Sequence, residues 1–507
     1  MLLAITSFTK WFRPERRDAR VSSDASLLAS SITSRFIRER IDLKPYHFNR
    51  PNHWRDFTAH AGKQSHFFDG SGAIIAARSP CHIDVMGDIS EYAGGIHMGE
   101  TVGEYAYVAV QRRMDNQIKL SSLYDLSVGG KGEIVFPVST IFSEEVIPCP
   151  KVTGDALEDM RDDPWVLELV GCLYILTTSG RIRSEAMHGV NILVDCDIEL
   201  HSEIGASSAL KVAFLMALRG IFNIPMYSSE IATVCMKAER FVSGGIGFSK
   251  DPMNCILGRS NELLIMKCQP REPLGYLSVP RGWRFVGIDS NARHAVMSSF
   301  PTHLLVAEQM GLSIMQSLTG ESWGGYLANV SEGKWKEFRD HIPVKMSGEE
   351  FCLRHGHIAD KRVEINLDRI YNVRPQTEHA INDNDRVKEF IALINLAGNE
   401  PDEMLMQETG ALMYDSHSSF TDIFEMDCPE TDLLVNLARE RGPQHGVYGA
   451  KISGLGGGKA IVLFQEDKHE ETAAWICGEY ERITGIHPRI ISDTAPGAME
   501  LGWLELK

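Results

Sequence analysis

Residues 453–459 read Ser-Gly-Leu-Gly-Gly-Gly-Lys, with four glycines in the five positions from Gly454 to Gly458. They stand between two apolar, strand-like runs at 448–452 and 460–464, and an ordinary hairpin turn needs fewer glycines than this. The segment is either a plain loop or a place where backbone closely approaches a ligand, and in isolation the residues leave both readings open. Any fold for this chain must therefore present a strand–glycine loop–strand unit near its end. With 507 residues, 43% of them hydrophobic, the chain can bury two cores joined through a shared interface.

Helix and strand patterns fill both halves. An apolar run at 73–77 leads into Arg78-Ser79-Pro80, residues 83–87 read as a second short strand or turn, and 105–111 alternate in strand fashion. Residues 191–194 form a strand before an acidic loop, and 207–218 carry helical apolar spacing. The longest apolar run, 165–176, is interrupted by Glu168 and is too short for a membrane span; it reads as a core helix started by Pro164. The second half opens with a strand near 285–288 and has helices near 386–396 and 430–441. The fold class is α/β (α+β), with no repeat and no low-complexity linker to mark the boundary between domains.

Fifty-one basic against sixty-eight acidic residues give a net charge of -17, which opposes general binding to nucleic acid or to an anionic membrane surface. An anionic nucleotide needs a local positive patch or a metal ion in such a field. Ten scattered cysteines with no C-x-x-C pair fit reduced thiols in a cytoplasmic protein. The arginine- and serine-rich stretch at 10–40 is interrupted by acidic residues, which favours a loosely ordered extension over a transit peptide.

Two further segments carry chemistry. The loop Ser202-Glu203-Ile204-Gly205-Ala206-Ser207-Ser208 lies between strand and helix, where free N–H groups and the helix dipole favour an anion. Such a helix start also serves as a plain serine cap. Glu239 and Asp251 lie twelve residues apart across a glycine-bearing loop, one suited to a metal and the other to accepting a proton; loop carboxylates also serve as caps and salt-bridge partners.

Taken in order, these segments resemble the signature motifs of the GHMP kinases, in their galactokinase and arabinokinase form. Residues 79–95, S-P-C-H-I-D-V-M-G-D-I-S-E-Y-A-G-G, are similar without a gap to A-P-G-R-V-N-L-I-G-E-H-T-D-Y-N-G-G. The 449–458 segment G-A-K-I-S-G-L-G-G-G resembles G-A-K-I-T-G-G-G-S-G, and 239–258 matches a family stretch at Glu239, Gly244, Asp251, Met253 and Gly258. Residues 289–294 (D-S-N-A-R-H), Ser416-His417-Ser418-Ser419, 428–432 (C-P-E-T-D) and 495–498 (A-P-G-A) extend the likeness, which covers roughly 73–503. The galactokinase-like segments disfavour a GHMP kinase for a non-sugar.

The resemblance implies a two-domain kinase with an extension at 1–64, an ATP-binding domain at 65–275, a second domain at 276–507, and the active site in the cleft between domains. It implies Asp251 as proton acceptor with His82 beside it, and Asp88, Glu91, Tyr92 and Gly94 against a monosaccharide. Gly205, Ala206, Ser207, Ser208, Gly454 and Gly456 would hold ATP, and Ser207 with Glu239 would hold Mg2+. The implied reaction is sugar 1-phosphorylation by ATP in the cytoplasm, on galactose or L-arabinose, with no nucleic-acid or membrane partner. The chain departs from the pattern at His82, where the family has arginine, at Ile89 for histidine, at Phe300 or Pro301 for tyrosine, and at His201 and Glu203 for glycines. Pro252 stands after Asp251 for glutamine and biases the aspartate away from helical angles. These departures keep a second reading open, a catalytically weak sugar- and ATP-binding sensor or regulator.

Overall fold

The computed structural model describes residues 52–63, 67–69, 72–123, 132–142, 164–183, 187–197, 205–243, 246–269, 271–292, 302–361, 363–398, 402–423, 429–454 and 458–506. Positions 1–51, His201, Glu203, Phe300, Pro301 and Gly456 lie outside them.

The first half is built on an eight-stranded sheet. Strands β1 (Ile74–Met86), β2 (Ile96–Arg112), β3 (Gln117–Ser122), β4 (Ile134–Pro137), β5 (Gly189–Cys196) and β14 (Trp503–Leu506) run in the order β14-β1-β2-β5-β3-β4, while β6 (Glu262–Lys267) pairs with β2 and β7 (Glu272–Ser278) with β6. The two short strands expected around Pro80 are one strand of 13 residues. Proline is tolerated there because the β1–β2 register shifts between Pro80 and Cys81, and a bulge does not need the missing N–H. The expected division at 275 falls inside β7, and the tail strand β14 (Trp503–Leu506) pairs antiparallel with β1. The first sheet thus runs past 275 and takes in the end of the chain.

Helices cover one face of this sheet. The helices α3 (Pro164–Thr178), α4 (Ala206–Phe222), α5 (Ser228–Ser243) and α6 (Lys250–Leu257) share a core with β1, β2 and β5. Helix α4 is apolar nearly all round and buried from Ser208 to Leu218, as a helix enclosed between sheet and neighbouring helices must be. The opposite face is covered by α1 (His53–Lys63), whose Phe57 and Ala61 pack with Phe68 and Tyr107. Burying Phe57 contributes roughly 1.5–3 kcal/mol, so residues 53–63, expected within a loose extension, belong to the folded body.

The second half has its own antiparallel sheet, β11-β12-β8-β13, formed by β8 (Trp283–Asp289), β11 (Val447–Ile452), β12 (Lys459–Gln465) and β13 (Arg489–Ile491). A further pair, β9 (Met346–Ser347) and β10 (Ile370–Tyr371), stands apart. Helices α7 (Thr302–Thr319) and α8 (Val373–Ala397) form a separate apolar cluster with Ile89, Tyr92 and Phe248 from the first half. Among the described residues no helix is long and apolar enough to cross a membrane.

Candidate active site

The end of β1 brings the first motif to the place where the two halves meet. His82 and Asp84 alternate along the strand and so share a face. Gly87 and Gly94 adopt positive φ, and between them the helical turn α2 (Ser90–Ala93) carries Glu91 and Tyr92. At Gly94 a Cβ would stand 2.3 Å from Tyr326 Cδ1, and its carbonyl accepts from Gln269 Nε2 at 2.5 Å.

Asp251 lies in the first turn of α6, in spite of Pro252. The first N–H groups of a helix have no intrahelical acceptor, so a proline third in the helix forfeits nothing, and the first bond runs from Met253 N–H to Ser249 O at 3.0 Å. Glu91 anchors the same turn, accepting from Ser249 N–H (2.9 Å), Ser249 Oγ (2.7 Å) and Lys250 N–H (2.9 Å), where a helix start favours negative charge. Tyr92 is buried edge-on against Phe248, with centroids 5.0 Å apart, and burial pushes its phenol up. Both side chains, assigned above to a sugar, are engaged in holding the site together.

Around Asp251 the structure assembles a tight polar cluster. The Lys250 ammonium donates to Asp84 Oδ2 at 2.6 Å and to Asp251 Oδ1 at 2.9 Å; His82 Nε2 lies 3.2 Å from Asp251 Oδ1, and His97 Nε2 lies 2.8 Å from Asp84 Oδ1. Burial opposes ionisation of both carboxyls, but the Lys250 charge, with His97 at Asp84 and His82 at Asp251, holds them well below the ordinary range. Burial likewise opposes the Lys250 charge, and the two aspartates outweigh it. The permanent cation absent at position 82 is thus present beside Asp251, supplied by the preceding residue.

The second motif touches this cluster directly. Gly205, at φ 72, precedes α4, and a Cβ on it would lie 2.3 Å from His82 Nδ1. The first intrahelical bond is Ala209 N–H to Gly205 O at 2.8 Å, so the N–H groups of Ala206, Ser207 and Ser208 have no acceptor within the helix. The Ser207 hydroxyl donates to Glu168 at 2.7 Å and accepts from Lys211 Nζ at 2.9 Å; that ammonium is fully buried and also lies 3.4 Å from Glu239 Oε2. Burial pushes the Glu239 carboxyl up, and Lys211 only partly opposes it.

The third motif is tied to the first. Asp88 is ion-paired with Lys451 and accepts from Gly454 N–H at 2.8 Å, while Ser453 Oγ accepts from Asp84 N–H at 3.0 Å and donates to Asp84 O at 2.8 Å. Asp88 is thereby committed to the glycine loop. Sequence reasoning missed Asp84, Lys250, His97, Glu168, Lys211 and Lys451. Two of these had local signals: Lys250 adjoins Asp251, and Lys211 lies one helical turn after Ser207. A cavity of 540 Å³ lined by Trp283, Asp402, Met406 and Tyr448 shares no residue with this site.

Residues 169–259, which hold α4, Glu239 and Asp251, match the family of GHMP kinases at its N terminal domain. The chain carries a GHMP kinase N-terminal domain. L-arabinokinase from Arabidopsis thaliana is 27% identical across 87% of this chain, which spans about half of that relative (47%). Galactokinase from Glaesserella parasuis serovar 5 (strain SH0165) is 28% identical over 61% of this chain and 71% of its own. In fold, the chain aligns with Lactococcus lactis galactokinase complexed with galactose at a TM-score of 0.66, 20% identity, covering 87% of this chain and 99% of the other. The two-sheet architecture is shared with that galactokinase.

Proposed function

We propose that this chain is an ATP-dependent sugar 1-kinase that transfers the γ-phosphoryl group of ATP to the anomeric hydroxyl of a monosaccharide of the galactose or L-arabinose type, in the cytoplasm. The observation that carries the reading is the convergence of the three motifs on Asp251: His82 from the first, Gly205 packed on His82 from the second, and Ser453 bonded to Asp84 from the third. Phosphoryl transfer asks chiefly for alignment and charge stabilisation. Asp251 would take the proton of the attacking hydroxyl as the oxygen–phosphorus bond forms and ADP leaves. An anomeric hydroxyl is more acidic than an ordinary alcohol, which suits a carboxylate base. Lys250 and His82 hold Asp251 in place, and the N–H groups of Ala206, Ser207 and Ser208, which have no acceptor within the helix, would receive phosphate oxygens.

Mg2+ accompanies ATP in this reading and would offset charge on the phosphates. Ser207 and Glu239 offer the hard oxygens that Mg2+ prefers. With Lys211 donating to Ser207 and facing Glu239, the set as it stands does not fit a divalent ion.

Release of ADP by the purified chain with ATP and Mg2+ across a panel of monosaccharides tests the activity, and phosphorus NMR of the product tests the position. A phosphate on the anomeric carbon is expected; phosphate elsewhere on the ring would refute the 1-kinase assignment. One observation favours a second reading, a weak or silent sugar and ATP sensor. A carboxyl held far below neutral pH by a lysine at 2.9 Å is a poor proton acceptor. Binding of both ligands without ADP release would select that reading.

A further inference from the structure

The Ser207–Glu239 position deepens the kinase reading and rests on it for where a metal is expected. Four side chains meet there, from α3, α4 and α5. Ser207 Oγ donates to Glu168 at 2.7 Å from both carboxylate oxygens, and the Lys211 ammonium lies 2.9 Å from Ser207 Oγ, 3.4 Å from Glu239 Oε2 and 3.7 Å from Glu168 Oε1. Lys211 is wholly buried, so its charge cannot swing out to solvent without repacking α4. A magnesium ion on Ser207 would sit about 2 Å from its oxygen, hence within about 5 Å of that ammonium, and would compete with it for the same carboxylates.

We propose that Lys211 is a built-in replacement for a protein-bound divalent cation: its ammonium satisfies Ser207, Glu168 and Glu239, and the protein itself holds no metal ion at this position. Metal then arrives only on the nucleotide, held by its phosphates. Lysine suits the task as a compact point charge with three donors. Because it is covalently fixed, its charge is present whatever the metal concentration.

The test is titration of the full chain with Mn2+ alone, without nucleotide, followed by electron paramagnetic resonance of the free ion. The wild-type chain is expected to show no stoichiometric site, while Lys211→Met gains one by at least about tenfold in affinity, as two carboxylates and a hydroxyl lose their internal cation. Adding Glu239→Gln to Lys211→Met should abolish the gain. Lys211→Gln carries the same comparison if the methionine variant does not fold. A wild-type chain that holds one Mn2+ and releases it in Glu239→Gln overturns the inference, as does a folded Lys211 variant that still holds none. Binding of a fluorescent ATP analogue is scored separately: its absence counts against the kinase reading, whereas the Mn2+ result decides this inference by itself.

Discussion

Two buried lysines organise the site, and they do so differently. Lys250 grips its carboxylates at 2.6 and 2.9 Å, and both aspartates are held anionic; Lys211 stands 3.4 and 3.7 Å from its glutamates, and burial pushes Glu239 up. The same pairing of one ammonium with two carboxylates thus fixes charge in one place and leaves it poised in the other. Distance makes the difference rather than exposure: the Asp251 side chain, at 26% exposed, falls between those of Glu168 and Glu239, at 18% and 30%, and only Asp84, at 4%, is cut off from water. A buried ion pair is costly to break because the partner left behind has no water to turn to.

The largest effect expected from this contrast is in Lys250→Met, which leaves Asp84 and Asp251 without their cation and should cost about 3–5 kcal/mol in urea unfolding. A third cluster of the same plan sharpens the comparison with a cation that titrates. His53 on α1 lies 2.7 Å from Asp195 and 2.5 Å from Asp197; burial opposes its charge, but the two aspartates raise its pKa to about 9. A folded-state value above the ordinary 6.5 means that the stabilisation is full below about pH 6.5 and is lost as pH rises through about 9. Wild-type stability should therefore fall by up to about 3 kcal/mol between pH 7 and pH 10, and His53→Gln should lack most of that fall; parallel profiles would count against the assignment.

Lys211→Met should cost less than Lys250→Met, about 1–3 kcal/mol, since Lys211 stands 3.4 and 3.7 Å from its glutamates whereas Lys250 lies 2.6 and 2.9 Å from its aspartates. Equal losses in the two lysine variants would break the comparison. The smallest effect, about 1–2 kcal/mol, is expected from Gly205→Ala, where the positive φ and the approach to His82 both resist a Cβ. Its loss of ADP release should exceed its loss of stability, because the displaced side chain is the one that orients Asp251.

Much of this was legible in the sequence. The glycine loop, the serine-bearing helix start and the Glu239–Asp251 spacing are local patterns, and the elements that carry them appear where periodicity and turn residues place them. What stayed hidden was long-range. Nothing local indicates that Glu91 caps the helix that carries Asp251, that Asp88 is committed to Lys451, or that Glu168 reaches Ser207. His82 illustrates the limit from the other side: it reads as the loss of a cation, and although Lys250 adjoins Asp251 in the sequence, only the fold shows its ammonium bonded to both Asp84 and Asp251. The tail strand β14 closing the first sheet is likewise a property of the whole chain.

Asp251 is the residue on which the proposed phosphoryl transfer depends most directly. Single-turnover ADP formation with ATP, Mg2+ and the best monosaccharide should drop about 10²- to 10⁴-fold in Asp251→Asn, with sugar and nucleotide affinity nearly unchanged. An asparagine variant that turns over at the wild-type rate would contradict the account.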